Sequence, residues 1–306
     1  MNQNTDTTFL LVGHGSRGRT GNQETRDFAA RWRSRHDAWR VELCFIEHAD
    51  ILLDAGLDQA ARNAAQVVVM PLILNAAGHV KMELPAALAR ARLRHPEVAF
   101  RLVPHLGMGP AVQAVLQRQL DQQMKTLAMP DPQTTGVILL GRGSSDAGAN
   151  GALARMARWI FEDNDHELVE LAFTGVTWPR LEAVVQRQVR LGMMQLVILP
   201  VYLFDGVLIE RTQQQVARLR GQYPAVAFAL GERFGFDEGI FQLLDQRVTA
   251  AGQETAAAIL LECDGCKYRQ LAEDEHLHDH SHTHDHTHDH PHDHGHDHGH
   301  PHHLHV

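Results

Sequence analysis

Two histidines and two glutamates in the first half of the chain have types and spacing suited to binding a metal ion and accepting protons. His14 lies in the segment LLVGHGS, and Glu47 follows the apolar segment VELCF. His79 and Glu83 are four residues apart, so they share one face if a helix begins there. Imidazole and carboxylate groups bind divalent first-row metals, and a neutral imidazole accepts protons near neutral pH. These four residues are the first candidates for a catalytic and metal-binding site.

Each candidate also has an ordinary structural interpretation. A histidine after a glycine turn, such as His14, often only hydrogen-bonds the backbone, and a lone His79 is open to a similar interpretation. Glu47 could complement the N-terminus of a helix, and Glu83 could be a solvated helix position. His48, His95 and His105 are weaker candidates.

The elements that would position these side chains are short apolar strands alternating with helical segments. The segments TFLLVGHG, VELCFIE, QVVVMPLIL and VAFRLVPHL are each followed by a helical pattern. Such runs indicate a parallel sheet covered by helices on both faces, and the predicted helices include Asp50–Asn63 and Pro110–Met124. In sheets of this type ligands bind at the carboxyl ends of the strands. His14, Glu47 and His79 all follow such ends.

The second half of the chain repeats this pattern at an offset of 128 to 129 residues. GVILLGRGS corresponds to FLLVGHGS, and MQLVILPVYL corresponds to AQVVVMPLIL. Because order and spacing persist through the half-chain, we predict a duplicated α/β domain. The alternative is convergence between two buried parallel sheets. It is disfavoured because the glycine turn and the proline after the third strand recur in register.

The ionisable candidates are the residues that the second copy has lost. The four corresponding pairs are His14 and Arg142, Glu47 and Gly175, His79 and Leu208, and Glu83 and Thr212. The glycines of the turn, its serine and the later proline are kept in both halves. Loss of all four candidates together favours a functional role for them in the first half.

The segments LLVGHGSR, CFIEHADILLDAGLDQA and VVVMPLILNAAGHVKMELP resemble the CbiX/SirB family of sirohydrochlorin chelatases over about residues 8–250. This resemblance implies an α/β fold with two tandem chelatase-like domains, each a four-stranded, mainly parallel sheet flanked by helices. It also implies that His14 and His79 are the metal-binding and catalytic pair, with Glu47 as a carboxylate of the pocket. Because the second half departs from the motif at these positions, we expect one active site.

The activity implied by the resemblance, which is to the long cobalt-inserting type, is insertion of Co²⁺ into sirohydrochlorin in cobalamin biosynthesis, a lyase-type reaction. His14, His79 and Glu83 are then the expected metal ligands. The nearest alternatives are insertion of Fe²⁺ for sirohaem or of Ni²⁺ into another tetrapyrrole. An alternative of another class is a non-catalytic metal-storage protein or metallochaperone. A storage protein needs no paired histidine and glutamate in a crevice, so the strand-end residues disfavour it.

Cations near the candidate histidines are expected to bind the tetrapyrrole substrate. Sirohydrochlorin carries many carboxylates, so the rim of its pocket should be basic. The candidate substrate-binding residues are Ser16, Arg17, Lys81 and Arg142, and Arg19 is a further flanking cation. The alternative for any one of the cations is an ordinary solvated position.

The C-terminal segment is predicted to be a disordered metal-binding tail. From His276 to the end lie sixteen of the 23 histidines, interleaved with Asp and without an apolar pattern. We interpret the segment as a metal reservoir. Its candidate ligands include His284, His286, His288 and His290.

The CxxC motif before the tail is a second possible metal site. Cys263 and Cys266 supply only two ligands, fewer than a zinc or iron–sulfur site needs. The alternatives are an iron–sulfur cluster completed by other ligands, another metal site, or a redox couple. Cys44 lies in a predicted buried strand and is expected to be inert.

Charge and composition restrict the other classes of function. Eight acidic residues and no Lys or Arg follow Arg269, so residues 1–269 are nearly neutral. No basic patch indicates nucleic-acid binding. No apolar run approaches the ~20 residues of a membrane span, and the N-terminus lacks a signal-peptide pattern. We expect a cytoplasmic protein without a disulfide framework, with a homo-oligomer as a possible state.

The predicted organisation has five segments. They are an N-terminal domain with the active site over residues 1–125, a linker over 126–135, a degenerate second domain over 136–251, a CxxC-containing segment over 252–275 and the tail over 276–306.

Overall fold

The computed structural model describes residues 6–75 and 78–253, without the side chains of Arg19, residues 78–80 and residues 251–253. The first half contains β1 (Thr7–Gly13), α1 (Arg19–Arg33), β2 (Arg40–Phe45), α2 (Leu53–Ala61), β3 (Gln66–Pro71), α3 (Gly78–Arg94), β4 (Ala99–Leu102) and α4 (Pro110–Met124). A short 3₁₀ helix, Pro132–Thr134, leads into the second half. The second half contains β5 (Thr135–Gly141), α5 (Ala147–Glu162), β6 (Val169–Phe173), α6 (Leu181–Arg190), β7 (Gln195–Pro200), α7 (Val207–Gln222), β8 (Ala227–Leu230) and α8 (Glu238–Gln253). The predicted CxxC site and His-rich tail lie outside the described residues.

Each half forms one four-stranded sheet, with strand order β2-β1-β3-β4 in the first and β6-β5-β7-β8 in the second. All described neighbours in both sheets pair in parallel. Gly13 lies opposite Phe45 on one side of β1, and Val12 lies opposite Pro71 on the other. The carboxyl ends of β1, β2 and β3 are therefore neighbours. The predicted α/β fold with two four-stranded parallel sheets is confirmed.

The strands are continuous apolar runs because both faces of each sheet are covered. Leu10, Leu11 and Val12 have no exposed surface. Successive strand residues point to opposite faces. Leu11 joins the hydrophobic cluster between the two sheets, while Leu10 and Val12 join the cluster on the outer side of the first sheet.

The two halves share a hydrophobic core. One cluster of buried residues includes side chains from both sheets. The rings of Phe28 in α1 and Phe241 in α8 stack within it, with centroids 4.5 Å apart and planes 8° apart. The indole nitrogen of Trp32 donates a hydrogen bond to Asp245 Oδ1 of α8 at 2.9 Å. The two halves are thus held together by packing as well as by the connecting chain.

Two predicted helix bounds have different outcomes. The helix predicted at Pro110–Met124 is confirmed as α4. The helix predicted from Asp50 begins only at Leu53, so that bound is wrong. The backbone of Leu52 forms a parallel bridge with Phe45, and Phe45 N donates to Ile51 O at 2.9 Å. This bridge holds residues 50–52 in a non-helical conformation.

Within the described part of the chain, no helix has both the length and the apolar character needed to cross a membrane.

Candidate active site

A glycine turn after β1 brings the predicted strand-end residues together. Gly15 has a φ of 94°, in the left-handed region that favours glycine. A Cβ atom at this position would lie 1.7 Å from the carbonyl oxygen of Glu47. Glu47 N also donates a hydrogen bond to His14 O at 3.0 Å. The turn therefore needs glycine so that the segments carrying His14 and Glu47 can approach each other.

The side chain of Asn22 fixes the same turn from α1. Its Oδ1 accepts a hydrogen bond from Ser16 N at 2.8 Å. Its Nδ2 donates to Ser16 O at 3.1 Å and to His48 O at 2.7 Å. One amide side chain thus ties the turn after β1 to the turn after β2, and it holds the backbone on both sides of the candidate site.

Glu47 lies between two imidazole rings. His14 Nδ1 is 3.4 Å from Glu47 Oε1, and His48 Nε2 is 3.3 Å from Glu47 Oε2. Arg17 Nε donates to His48 Nε2 at 3.3 Å. The His14, Glu47 and His48 side chains are 37%, 45% and 34% exposed, so a ligand can reach them. This imidazole–carboxylate cluster can accept protons and supply metal ligands.

His48, a weaker candidate from the sequence, lies beside Glu47 in the structure. It directly follows Glu47 and has a φ of 53°, which is uncommon for a residue other than glycine. Because Val176, its counterpart in the second half, has a φ of 63°, this conformation belongs to the duplicated scaffold. The only sequence signal was the adjacency of His48 to Glu47, and adjacency in a turn does not specify where two side chains point.

The third and fourth candidates lie on α3. His79 is in the first turn of this helix, and its side chain is outside the part that the structure describes. Glu83 lies one turn later and lines the same cleft as His14 and Glu47. The structure therefore places the backbone of His79 at the predicted edge of the sheet. The assignment of its side chain as a ligand stays a prediction.

Lys81 binds a carboxylate of the second half. Its Nζ lies 2.8 Å from Asp146 Oδ2. Asp146 caps α5, and its Oδ1 accepts hydrogen bonds from Gly148 N and Ala149 N. The hydrogen bond from Lys81 lowers the pKa of this carboxyl group below its ordinary value, while partial burial opposes that shift and the two backbone donors add to it. Lys81 thus connects the beginning of α3 to the second half.

A cleft of about 1800 Å³ lies between the halves, at the carboxyl ends of both sheets. His14, Ser16 and Arg17 line it from the first half, and Arg142 and Ser144 line it from the second. Lys81 is not among the lining residues. The cleft also has exposed apolar side chains, namely Leu52, Val176 and Val207. It therefore combines apolar surface with charged groups at the edge.

The second half repeats the scaffold of the site without its imidazoles and carboxylates. Gly143 has a φ of 86°, and a Cβ there would lie 2.2 Å from Gly175 O. Asn150 Oδ1 accepts from Ser144 N at 3.0 Å, as Asn22 does from Ser16. The side chains at the equivalent cluster positions are those of an arginine, a glycine and a valine. The second half thus lacks the imidazole and carboxylate groups that the first half carries at this place.

Over the described side chains, no group of three or more His, Cys, Asp or Glu is arranged to hold a metal ion. That set omits the side chain of His79.

The fold and the site define a duplicated α/β protein with one imidazole–carboxylate cluster in a large cleft between its halves. The CbiX family model matches residues 8–123 and 136–251, one copy in each half. The chain belongs to the CbiX family, and the predicted family is confirmed.

Relatives of this chain include chelatases that act with different metals. The chain is 38% identical to a sirohydrochlorin cobaltochelatase of Priestia megaterium over 88% of this chain and 87% of that protein. It is 27% identical to a sirohydrochlorin ferrochelatase of Bacillus subtilis over 80% of this chain and 93% of that protein. The solved structure of SirB from Bacillus subtilis with Fe³⁺ aligns with a TM-score of 0.69 at 25% identity, covering 81% of this chain and 96% of that chain.

Proposed function

We propose that this protein is a sirohydrochlorin cobaltochelatase, which inserts Co²⁺ into sirohydrochlorin in cobalamin biosynthesis. The observation that carries the proposal is the imidazole–carboxylate cluster of His14, Glu47 and His48 in a cleft of about 1800 Å³. The 38% identity to a sirohydrochlorin cobaltochelatase over most of both chains supports the same activity.

The chemistry of insertion needs a proton acceptor close to the macrocycle. Two pyrrole N–H protons leave the ring when a divalent metal enters it. The His14 imidazole is reachable from the cleft and can accept one of them, while Glu47 at 3.4 Å stabilises the resulting positive charge. The second proton can pass to water, because the side chains of the cluster are partly exposed. His79 and Glu83 on α3 are the proposed further ligands of the incoming metal. The metal is a substrate here, so its ligands must also release it.

The cleft suits a flat, largely apolar ring with charged side chains. Leu52 is 44% exposed in the first half, and Val176 is 61% exposed in the second. Both line the cleft. A ligand that covers this apolar surface removes it from water, which contributes favourably to the free energy of binding. A macrocycle between the halves would cover both side chains while its carboxylates reached the cations at the edge.

The choice of metal is the finer part of this proposal. Imidazole and carboxylate ligands suit Co²⁺, Fe²⁺ and Ni²⁺, and intrinsic affinity favours Ni²⁺ over Co²⁺. A more weakly held ion leaves the site faster, which favours transfer of Co²⁺ over Ni²⁺. Ferrochelatase relatives at 24% and 27% identity make Fe²⁺ the second candidate. We expect the highest initial rate with Co²⁺.

Several other parts of the proposal rest on sequence alone. We propose a cytoplasmic location, a catalytic first half and a degenerate second half, with the segment bounds given above. The His-rich tail is proposed to be a metal reservoir. Cys263 and Cys266 lie outside the described residues, and the proposed reaction needs no cluster there.

The test is insertion of each metal by purified protein under anaerobic conditions. Sirohydrochlorin is mixed with Co²⁺, Fe²⁺ or Ni²⁺ at matched free concentrations, and absorbance reports the metallated ring. A faster rate with Co²⁺ supports the proposal. Faster insertion of Fe²⁺ would move the protein to sirohaem synthesis. If no metal is inserted above the rate without protein, the chelatase assignment is wrong, and a storage role becomes the better hypothesis.

A further inference from the structure

Three of the four arginines that line the cleft have no described carboxylate partner, and two of these three lie in the second half. On the first-half side, Arg17 contacts His48, and Arg90 pairs with Asp54 at 2.6 Å. Arg142 and Arg211 also line the cleft. Both are exposed, and neither has a carboxylate partner among the residues that the structure describes. Arg17 also lacks a described carboxylate partner, so the second half supplies two of the three cleft-lining arginines that are available to bind an anion.

A third arginine lies where the second half has lost the counterpart of Glu47. Gly175 occupies the position of Glu47, and a Cβ placed on it would be 3.8 Å from Arg180 Nη1. This Nη1 atom is buried and has no hydrogen-bond partner in the described structure. The Arg180 guanidinium lies over the Trp178 ring, 5.0 Å from its centroid, which accounts for its orientation but provides no acceptor. Arg180 is not among the residues that line the cleft, so it adds positive charge beside Gly175 without a contact to the cleft surface.

A pair of hydroxyl groups lies near Arg142. Tyr202, which lines the cleft, is hydrogen-bonded through its hydroxyl to Thr174 Oγ1 at 2.8 Å. Burial raises the pKa of Tyr202 to about 12, although the Thr174 hydrogen bond and the nearby charge of Arg142 oppose the shift. The first half has Ile73 and Ile46 at these positions. The second half has thus gained hydrogen-bonding groups at the same place where it lost its proton acceptors.

We propose that the degenerate site of the second half is a carboxylate-binding subsite whose arginines are Arg142 and Arg211, the two that line the cleft on this side. Its ligand is a carboxylate side chain of the tetrapyrrole, so this inference rests on the proposed function. A guanidinium stays protonated and has no lone pair to offer a metal, but it binds a carboxylate through two parallel hydrogen bonds. The subsite therefore holds the substrate at one side, while the first half supplies the reactive groups.

The inference is tested by binding of metal-free sirohydrochlorin, followed by its absorbance, to the full-length protein and to Arg142→Gln and Arg211→Gln. Losing one charge-assisted hydrogen-bonding partner should weaken binding by on the order of tenfold in each variant. In steady-state insertion assays these substitutions should mainly raise KM for sirohydrochlorin and should change kcat little. The affinity of the variants should also depend less on salt, because one screened charge pair is missing.

The matched control is Arg218→Gln, which removes an exposed arginine from α7 at a position that does not line the cleft. It should bind sirohydrochlorin as the unmodified protein does. A methyl ester of the macrocycle provides the second control. Because the ester has no carboxylate charge, all the variants should bind it with equal affinity. If the arginine variants weaken ester binding as strongly as binding of the free acid, their effect is structural and the subsite is refuted.

The outcomes separate the subsite from the chelatase assignment. If the unmodified protein inserts metal but both arginine variants keep its affinity and KM, the subsite is wrong and the proposed function stands. If the unmodified protein neither binds sirohydrochlorin nor inserts metal, the proposed function fails and the subsite fails with it. Thermal unfolding of each variant verifies folding, and Arg142→Lys, which keeps the charge, replaces Arg142→Gln if that variant does not fold.

Discussion

The two halves of this protein have the same backbone at the cleft and different chemistry on it. Gly15 and Gly143 both have positive φ values, and an asparagine from the following helix closes each turn. The first half adds His14 and Glu47 to this scaffold, whereas the second half adds Arg142 in place of the histidine. The two halves therefore share the backbone geometry of the turn but differ in the side chains that it carries.

The physical reason lies in the position of each side chain. A Cβ on either glycine would overlap a backbone oxygen, so a larger residue there would force the strand ends apart. The residue before each glycine points into the cleft and packs against no core. It can change from histidine to arginine without disturbing the turn. A duplicated domain can therefore lose one set of reactive groups while it keeps the shape of the cleft.

The largest expected effect comes from removing the imidazole that only the first half has. His14→Ala should lower kcat for metal insertion by at least about a hundredfold, the usual contribution of a positioned acid–base group. The fold should persist because the side chain is 37% exposed. The measurements are insertion rates and far-UV circular dichroism. The matched variant in the second half is Arg142→Gln, which should raise KM for sirohydrochlorin. Equal losses of kcat in the two variants would contradict the proposal that the first half supplies the reactive groups and the second half binds the substrate.

The next effect concerns the contact that joins the two sides of the cleft near the candidate metal ligands. Lys81→Met removes the ion pair with Asp146, whose side chain is only 9% exposed. We expect about 1–3 kcal/mol lower stability, because a buried acceptor loses a partner. We also expect roughly a tenfold lower kcat, because the start of α3 carries His79 and small displacements of reacting groups are costly. Chemical unfolding and steady-state kinetics measure the two quantities.

Two further variants show whether Lys81 positions the site or only stabilises the fold. Lys81→Arg keeps the charge and should restore most of kcat. Arg118→Gln breaks another ion pair between the halves, with 2.6 Å between Arg118 Nη2 and Asp237 Oδ1. Because Arg118 is 54% exposed, we expect this substitution to lower the free energy of unfolding by less than about 1 kcal/mol and to leave kcat unchanged. A normal kcat for Lys81→Met would show that the contact has no role in positioning.

The same contact predicts a dependence of stability on acid. The pKa of Asp146 is lowered in the folded protein, chiefly by its hydrogen bond with Lys81. Its carboxylate therefore stabilises the native state above its unfolded pKa of about 3.9. That contribution is lost as the pH falls through the lower folded pKa. Asp146→Asn should flatten this part of the acid-unfolding curve, measured as unfolding free energy between about pH 5 and pH 2. If unfolding free energy depends on pH equally in Asp146→Asn and in the unmodified protein, this prediction is wrong.

The smallest effect is expected from the His-rich tail, which neither half contains. Truncation after Arg269 should leave the maximal rate unchanged at saturating metal, because the proposed reactive groups lie in the first half. When free metal is buffered to low concentration the truncated protein should be slower, since a tethered set of imidazoles raises the local metal concentration. Insertion rates across a series of metal buffers measure this. Loss of rate at saturating metal would place the tail within the site.

Much of the fold was predictable because its signals are local. Continuous apolar strands specify a sheet buried on both faces, and the constant offset between the halves predicted the duplication. The bounds of α4 agree with the sequence pattern. The start of α2 was predicted three residues early because Leu52 pairs with Phe45, and helical periodicity does not report such a bridge. The position of His48 beside Glu47 was likewise decided by a turn whose backbone conformation is not visible in the apolar pattern.

The sequence by itself determined which half carries imidazoles and carboxylates at the strand ends, because strand order and residue type suffice for that. Only the tertiary structure decided what those residues and their neighbouring cations contact. Lys81 was expected to bind substrate, but its ammonium lies against Asp146, 65 residues away. Arg180 was not selected at all, although it lies beside the vacant position of Glu47 in the second half. Such contacts depend on how the two sheets pack through their shared core, and no local pattern encodes that packing.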